Sequence, residues 1–211
     1  MEAMIQEQQI GIMGGTFDPI HLGHTDMAEH CLRKFSLDKI LFLPAGNPPH
    51  KKDTCLTDKA DRLAMVRLAT QRIDGFEVSD IEVKRNGPTY TLDTLIELSR
   101  QYREARFYYI IGADTLGELY SWHKIEEVAK RTRFIVVGRK NVEPEALHTF
   151  AARVRQDFDG QLIDAEYTGL DISSTLIRQR AARGASLYGM VEPTVEAYIR
   201  EHGLYGSSML S

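Results

Sequence analysis

"GIMGGTFDPIHLGHTDMAEHCL", residues 11–32, is the stretch whose reading decides the fold. It opens as an apolar strand, crosses two adjacent glycines and resumes as an amphipathic helix. Gly14 and Gly15 permit backbone geometries, and a closeness to ligand, that a side chain would block. Asp18-Pro19 is turn chemistry. His21 and His24 stand three apart at the start of the helix and so share one face, with bare backbone at Gly23 between them. Open N–H groups, a partial positive charge and two imidazoles together suit a phosphate. The stretch lacks the Lys-Ser/Thr pair of a P-loop and does not spell GxGxxG. A Gly-Gly pair can be only a tight turn. An HxxH pair can hold a metal, but no third ligand stands at a familiar spacing, so no protein metal site is expected.

The same alternation continues outward. "IGIM" (10–13), "KILFLP" (39–44), "RFYYIIG" (106–112) and "RFIVVGR" (133–139) are nearly continuous apolar runs, as strands covered on both faces tend to be. "GFEVSD" (75–80) and "QLIDAE" (161–166) are weaker strands. Helical patterns fill the gaps: 22–35, 58–72, 92–102, 124–130 and 143–157, then 174–183 and 192–202 near the end. This predicts an α/β fold, a Rossmann-like doubly wound parallel sheet with a small C-terminal helical part. We expect residues 1–8 to form a loose tail and 9–205 a single α/β domain, whose last part, about 172–205, is helical. On such sheets ligands sit at the carboxyl ends of the strands, where the unusual residues fall.

Composition sets wider bounds. A chain of 211 residues can bury a core without disulfides or structural metal. The formal net charge of -4 provides no global basic field for nucleic acid. Cys31 and Cys55 form no metal-type spacing and read as reduced thiols. No apolar run reaches membrane-spanning length, and "MEAMIQEQQ" has neither the basic flank nor the apolar core of a signal peptide. A cytoplasmic setting is expected.

Four later blocks carry further chemistry. "PAGNPPHKK" (44–52) is a proline-stiffened loop whose His50, Lys51 and Lys52 add donors. "RNGPTYTLDTL" (85–95) offers Thr91 as an N-cap for a helix beginning at Leu92. In "IIGADTLGELYSW" (110–122), Gly112 lets a ligand approach the backbone, and Asp114 either accepts from ribose hydroxyls or caps a helix. "ISSTLIR" (172–178) places Ser173, Ser174 and Thr175 at a helix start, with the planar fork of Arg178 one turn on. Each block also has a plainer reading, as a solvated basic loop, a capped helix or, for the single Trp122, core filling.

With those blocks in order from residue 9 to 203, the chain resembles the HxGH nucleotidyltransferase superfamily. Within it, the chain looks like bacterial nicotinate mononucleotide adenylyltransferases. The resemblance implies adenylyl transfer from ATP to nicotinate mononucleotide, giving nicotinate adenine dinucleotide and pyrophosphate. It implies that His21, His24, Lys51 and Arg178 act on the phosphates. Gly14, Gly15, Thr16, Phe17, Gly23, Gly112 and Asp114 would line the ATP site, together with Ile172, Ser173, Ser174 and Thr175. Tyr90 and Thr91 would receive the ring carboxylate and Trp122 would stack on the pyridine, with Arg139 nearby. His123 stands where family members often carry Tyr. Mg²⁺ is expected to arrive with ATP.

Rival readings remain on the same blocks. One is another superfamily enzyme, for example a phosphopantetheine adenylyltransferase, against which "PTYTLDTL", "SWH" and the length argue. A second is a non-catalytic nucleotide sensor. A third is a nucleic-acid module using "RQRAARG" (178–184), which is brief in an acidic chain. The closing "EPTVEAYIREHGLYG" packs either on the domain or against a partner subunit in a homo-oligomer.

Overall fold

A computed structural model describes residues 7–48, 55–138, 144–167 and 169–206. In chain order the elements are β1 (Gln8–Gly15), α1 (Leu22–Lys34), β2 (Lys39–Pro44), α2 (Lys59–Thr70), β3 (Phe76–Val78), α3 (Ile81–Lys84), α4 (Thr91–Gln101) and β4 (Ala105–Gly112). A 3₁₀ helix (Ala113–Ser121) follows, then α5 (Ile125–Ala129), β5 (Thr132–Val137), α6 (Pro144–Phe158), β6 (Leu162–Asp164), α7 (Ser174–Ala182) and α8 (Pro193–Glu201). The strands form one sheet of order β3-β2-β1-β4-β5-β6, parallel throughout. This is the doubly wound fold that the alternation predicts. The two weak strand signals are real strands of three residues each. α3, four residues long, escaped the sequence reading because it is too short to show a period, and the segment after Gly112 forms a 3₁₀ helix of three residues per turn. β1 also begins earlier than expected: Gln8 already pairs with Ala105, so it is not part of a tail.

Successive residues point to opposite faces of a strand, and both faces here are apolar. Ile40 and Phe42 join Met13, Ile110 and Ile135 in a core covered by α1, α2, α7 and α8. Leu41 and Leu43 join Ile10, Ile12 and Phe134 in a second core covered by α4, α5 and α6. The closing helix packs on its own domain. Val195 and Ile199 are buried in the first core, and the Tyr198 hydroxyl donates to Asp61 on α2 at 2.8 Å. The C-terminal helices thus share the core of the sheet.

The order reverses between β1 and β4, the place where such sheets bind ligands. Their pairing ends at Ile12–Tyr109, though the strands run on to Gly15 and Gly112. Past that point Gly14 and Gly15 pair only with Leu43 and Pro44 of β2. The two central strands therefore part at their carboxyl ends and open a crevice.

Both cysteines are free, and burial pushes the Cys31 thiol up to about 12, which makes it inert at neutral pH. Among the described residues no helix is long and apolar enough to cross a membrane. Leu98 of α4 is fully buried in the second core. Leu98→Ala should lower the unfolding free energy by about 2–5 kcal/mol, read from urea denaturation as a lower midpoint at unchanged slope.

Candidate active site

Two cavities fill the crevice and share a wall. The first, about 210 Å³, lies over the start of α1 and is lined by His21, Gly23, His24, Gly112, Leu170 and Ile172. The second, about 270 Å³, lies over the start of α4 and is lined by Gly15, Thr16, Pro48, Tyr90, Thr91 and His123. Gly14, Tyr109, Thr115 and Trp122 line both. The distant blocks of the sequence therefore converge on one junction.

The first cavity is built from the turn after β1. His21 is the N-cap of α1, with extended backbone and its ring buried. The ring of His24 stacks on it at 3.7 Å between centroids, on the shared face that the spacing of three predicts. His24 Nδ1 accepts the backbone N–H of His21 at 3.2 Å. An acceptor Nδ1 carries no proton, so the neutral ring holds its proton on Nε2. Gly23 lies so close to the His21 ring that a Cβ would stand 3.1 Å from Nδ1. The helix start is less open than expected, since the Leu22 N–H is already bonded to the Met190 carbonyl at 2.9 Å.

Phe17 differs from the expectation of an ATP contact. It adopts a left-handed φ of 50°, and its ring lies in the core, edge-on to His24 at 5.1 Å and beside Phe42. It supports the imidazole from behind. Gly15 and Thr16, also expected beside ATP, border the second cavity.

The block 172–178 docks on the same turn. Ser173 caps α7 by accepting from the Leu176 N–H at 3.2 Å, as predicted. The Ser174 hydroxyl donates to the Pro19 carbonyl at 2.9 Å. The Arg178 fork, expected to face phosphate, donates to the Asp18 carbonyl at 2.7 Å and to the Thr175 hydroxyl at 3.2 Å. These contacts bring the start of α7 beside the start of α1.

The second cavity is walled by aromatic rings. Tyr90 and His123 lie 4.6 Å apart, and Trp122 is edge-on to Tyr109 at 5.4 Å. Thr91 is the first residue of α4 and not its cap. Tyr90 holds the cap position and its carbonyl accepts the Thr94 N–H, so the helix starts one residue earlier than the sequence suggested. Trp122 is half-buried against Phe134 and Tyr109 and lines both cavities. Asp114 sits in the first turn of the 3₁₀ helix. Its side chain, with Lys51 and Arg139, lies outside the described residues, as do His50 and Lys52.

Sequence reasoning missed two residues here. Tyr109 is buried on β4, and its hydroxyl occupies the space that a Cβ of Gly14 would need. Burial, and then the charge of Glu82, push its phenol up from the ordinary value. Glu82 on α3 lines the second cavity at 7% exposure and accepts from the Thr94 hydroxyl at 2.8 Å. Thr94 in turn accepts from Arg85 at 2.9 Å. Burial raises the Glu82 carboxyl above its ordinary value, against the hydrogen bond from Thr94 and the charge of Arg85. Neither residue belongs to a motif, and only the fold brings them to the junction.

Comparison with known proteins agrees with this geometry. The family model described as cytidylyltransferase-like matches residues 12–180. A probable nicotinate-nucleotide adenylyltransferase of Synechococcus sp. (strain JA-3-3Ab) is 42% identical over 200 residues, covering 95% of this chain and 96% of the relative. The chain belongs to this family, in its nicotinate-nucleotide adenylyltransferase branch. A relative of the same description from Thermoanaerobacter sp. (strain X514) is 41% identical over 203 residues, with 96% of each chain covered. Among solved structures, the Plasmodium falciparum nicotinic acid mononucleotide adenylyltransferase complexed with NaAD superposes with a TM-score of 0.74. It is 21% identical, and the match covers 94% of this chain and 97% of that one, so it supports the fold.

Two predictions test the junction. Gly14→Ala should displace the Tyr109 ring and lower stability by about 1–3 kcal/mol, with Tyr109→Phe in the same chain recovering part of the loss in urea unfolding. Folding raises the Glu82 carboxyl, so the folded state binds its proton more tightly than the unfolded chain. The stability from this group is therefore full below the ordinary value of 4.5 and declines as pH rises through the raised one. Glu82→Gln should remove that slope from a series of unfolding curves between acid and neutral pH.

Proposed function

We propose that this chain joins ATP to nicotinate mononucleotide, forming nicotinate adenine dinucleotide and pyrophosphate. The observation that carries the reading is the meeting of two cavities at Gly14, one beside two stacked imidazoles and the other beside aromatic rings and the start of α4. ATP takes the first cavity and the mononucleotide the second. Their phosphates then meet at the shared wall.

The nucleophile is a phosphate oxygen of the mononucleotide. A phosphomonoester has a second pKa of about 6 and is largely dianionic near neutrality, so no general base is required. The oxygen attacks the α-phosphorus of ATP in line, a new P–O bond forms, and the bond to pyrophosphate breaks. The barrier comes from bringing anions together. The protein lowers it by alignment and by donors placed where charge develops. His24 offers Nε2–H to the α-phosphate, and the stacked His21 holds that ring in place. Lys51 and Arg178 assist at the outer phosphates, and the amides at Gly14 leave room for close approach.

Among the described residues no three His, Cys, Asp or Glu side chains stand together to hold a metal ion. By its resemblance to nucleotidyltransferases the chain would receive Mg²⁺ with the triphosphate, where the ion would neutralise charge on the departing pyrophosphate. In the second cavity the pyridine ring lies among Trp122, Tyr90 and His123. Its carboxylate points to the first turn of α4, where a helix dipole favours an acid over a neutral amide.

The decisive assay incubates the chain with ATP, Mg²⁺ and either the acid or the amide mononucleotide and identifies the product by mass. The acid should be converted with the higher kcat/KM, and equal efficiencies would remove the α4 terminus from recognition. His24→Ala should lower turnover about 10²- to 10³-fold while ATP binding, followed by calorimetry, weakens much less. Near-normal turnover would take His24 out of the reaction.

A further inference from the structure

Arg62 belongs to none of the blocks that the sequence singled out. It stands on α2 at 1% exposure, and it lines neither cavity. Its Nε donates to the Thr57 carbonyl at 3.0 Å, its Nη1 to the Thr16 carbonyl at 2.7 Å and its Nη2 to the Gly46 carbonyl at 3.1 Å. Thr16 lies in the turn that leaves β1, Gly46 in the loop that leaves β2, and Thr57 just before α2. One planar group thus fixes three segments relative to one another.

The countercharge is Asp18, also buried, whose field acts on the guanidinium. Asp18 is held in turn by the Tyr205 hydroxyl at 2.7 Å and the Thr57 N–H at 3.3 Å. An apolar side chain of similar volume would fill this space without the desolvation penalty of a buried charge. The fork adds direction: three donors whose angles are set by the covalent plane.

The segments it ties are walls of the site. Gly15 and Thr16 line the second cavity together with Ala45 and Pro48 of the neighbouring loop, whose Ala45 N–H donates to the Gly15 carbonyl at 2.8 Å. The first of these segments runs directly into His21 and His24. Gly46 is confined from the far side as well, because a Cβ there would overlap the backbone of Glu82.

We propose that Arg62 is a positioning residue for adenylyl transfer, setting the separation between the histidine-bearing turn and the loop after β2. The proposal rests on the adenylyltransferase reading given above. Arg62 reaches the reacting atoms only through Thr16 and Gly46, and in-line transfer is steeply sensitive to such alignment, a misplacement of about 1 Å costing about 10²-fold.

The test uses the full chain with Arg62→Lys and Arg62→Ala, with turnover expressed per folded molecule from parallel unfolding curves. Lysine keeps the charge and loses the fork. In Arg62→Lys, kcat should fall by about 10- to 10²-fold while KM for ATP and for nicotinate mononucleotide stays within about threefold. In Arg62→Ala, guanidinium ion at low millimolar concentration should restore kcat, and sodium chloride at the same ionic strength should not. Wild-type kcat per folded molecule in Arg62→Lys, or no recovery with guanidinium in a folded Arg62→Ala, would overturn the proposal. Failure of both variants to fold would overturn it equally, by making Arg62 an element of stability alone. A wild-type chain that forms no dinucleotide with either mononucleotide would defeat the adenylyltransferase reading, and this proposal with it.

Discussion

The structure turns on the parting of its two central strands. β1 and β4 are bonded as far as Ile12 and Tyr109, and then each continues with a partner on only one side. Unpaired backbone at the centre of a sheet must be met by something, because buried N–H and C=O groups left without partners cost free energy. Here the strands end on glycines, Gly15 and Gly112, so that the exposed backbone can be approached by a ligand with no side chain in the way. The binding crevice is the consequence of a topological reversal, and the glycines keep it open.

A crevice formed in this way has walls of loops, and loops must be held. The chain uses buried polar groups with fixed directions. Asp18 is the hub: its carboxylate accepts from Tyr205 near the C-terminus and from Thr57, while its carbonyl accepts from Arg178 on α7. Breaking one member of such a buried set typically costs about 3–5 kcal/mol, because the others are left uncompensated. That penalty makes the arrangement all-or-none and lets elements far apart in sequence share one geometry.

Most of the sheet was legible in the sequence, for a simple physical reason. Strands covered on both faces must be apolar throughout, so "KILFLP" and "RFYYIIG" announce themselves, and the helices between them carry their own period. That His21 and His24 share one face was legible too, from their spacing of three, whereas the stacking of their rings was not. What could not be read was the far partner of each polar group. Arg62 sits in an amphipathic helix where an arginine ordinarily faces water, and nothing nearby in sequence names Thr16 or Gly46 as its acceptors. Arg178 was legible as a fork but not as one already engaged with the Asp18 carbonyl. Phe17 looked like part of a ligand loop because its neighbours are, whereas its left-handed backbone turns the ring into the core.

The electrostatics of the junction follow from the same layout. The chain is acidic overall, and the acceptor cavity contains two carboxyl side chains, Glu82 and Glu118, although its proposed occupant is an anion. Two features reconcile these facts. Glu82 is buried with Thr94 and Arg85 behind it, and its raised carboxyl favours the neutral form more than an exposed glutamate would. Glu118 is exposed on the 3₁₀ helix, where water screens it. In the proposed reaction His24 would act through an Nε2–H donor, because its Nδ1 faces the His21 amide. A second fixed cation stacked 3.7 Å from His21 would repel it if both rings were charged. A neutral donor avoids that repulsion and, on the proposed reading, would strengthen as negative charge grows on the α-phosphate. On the proposed reading the histidine pair would stabilise what forms during transfer more than what binds before it, which is the condition for a group to raise turnover and not only affinity.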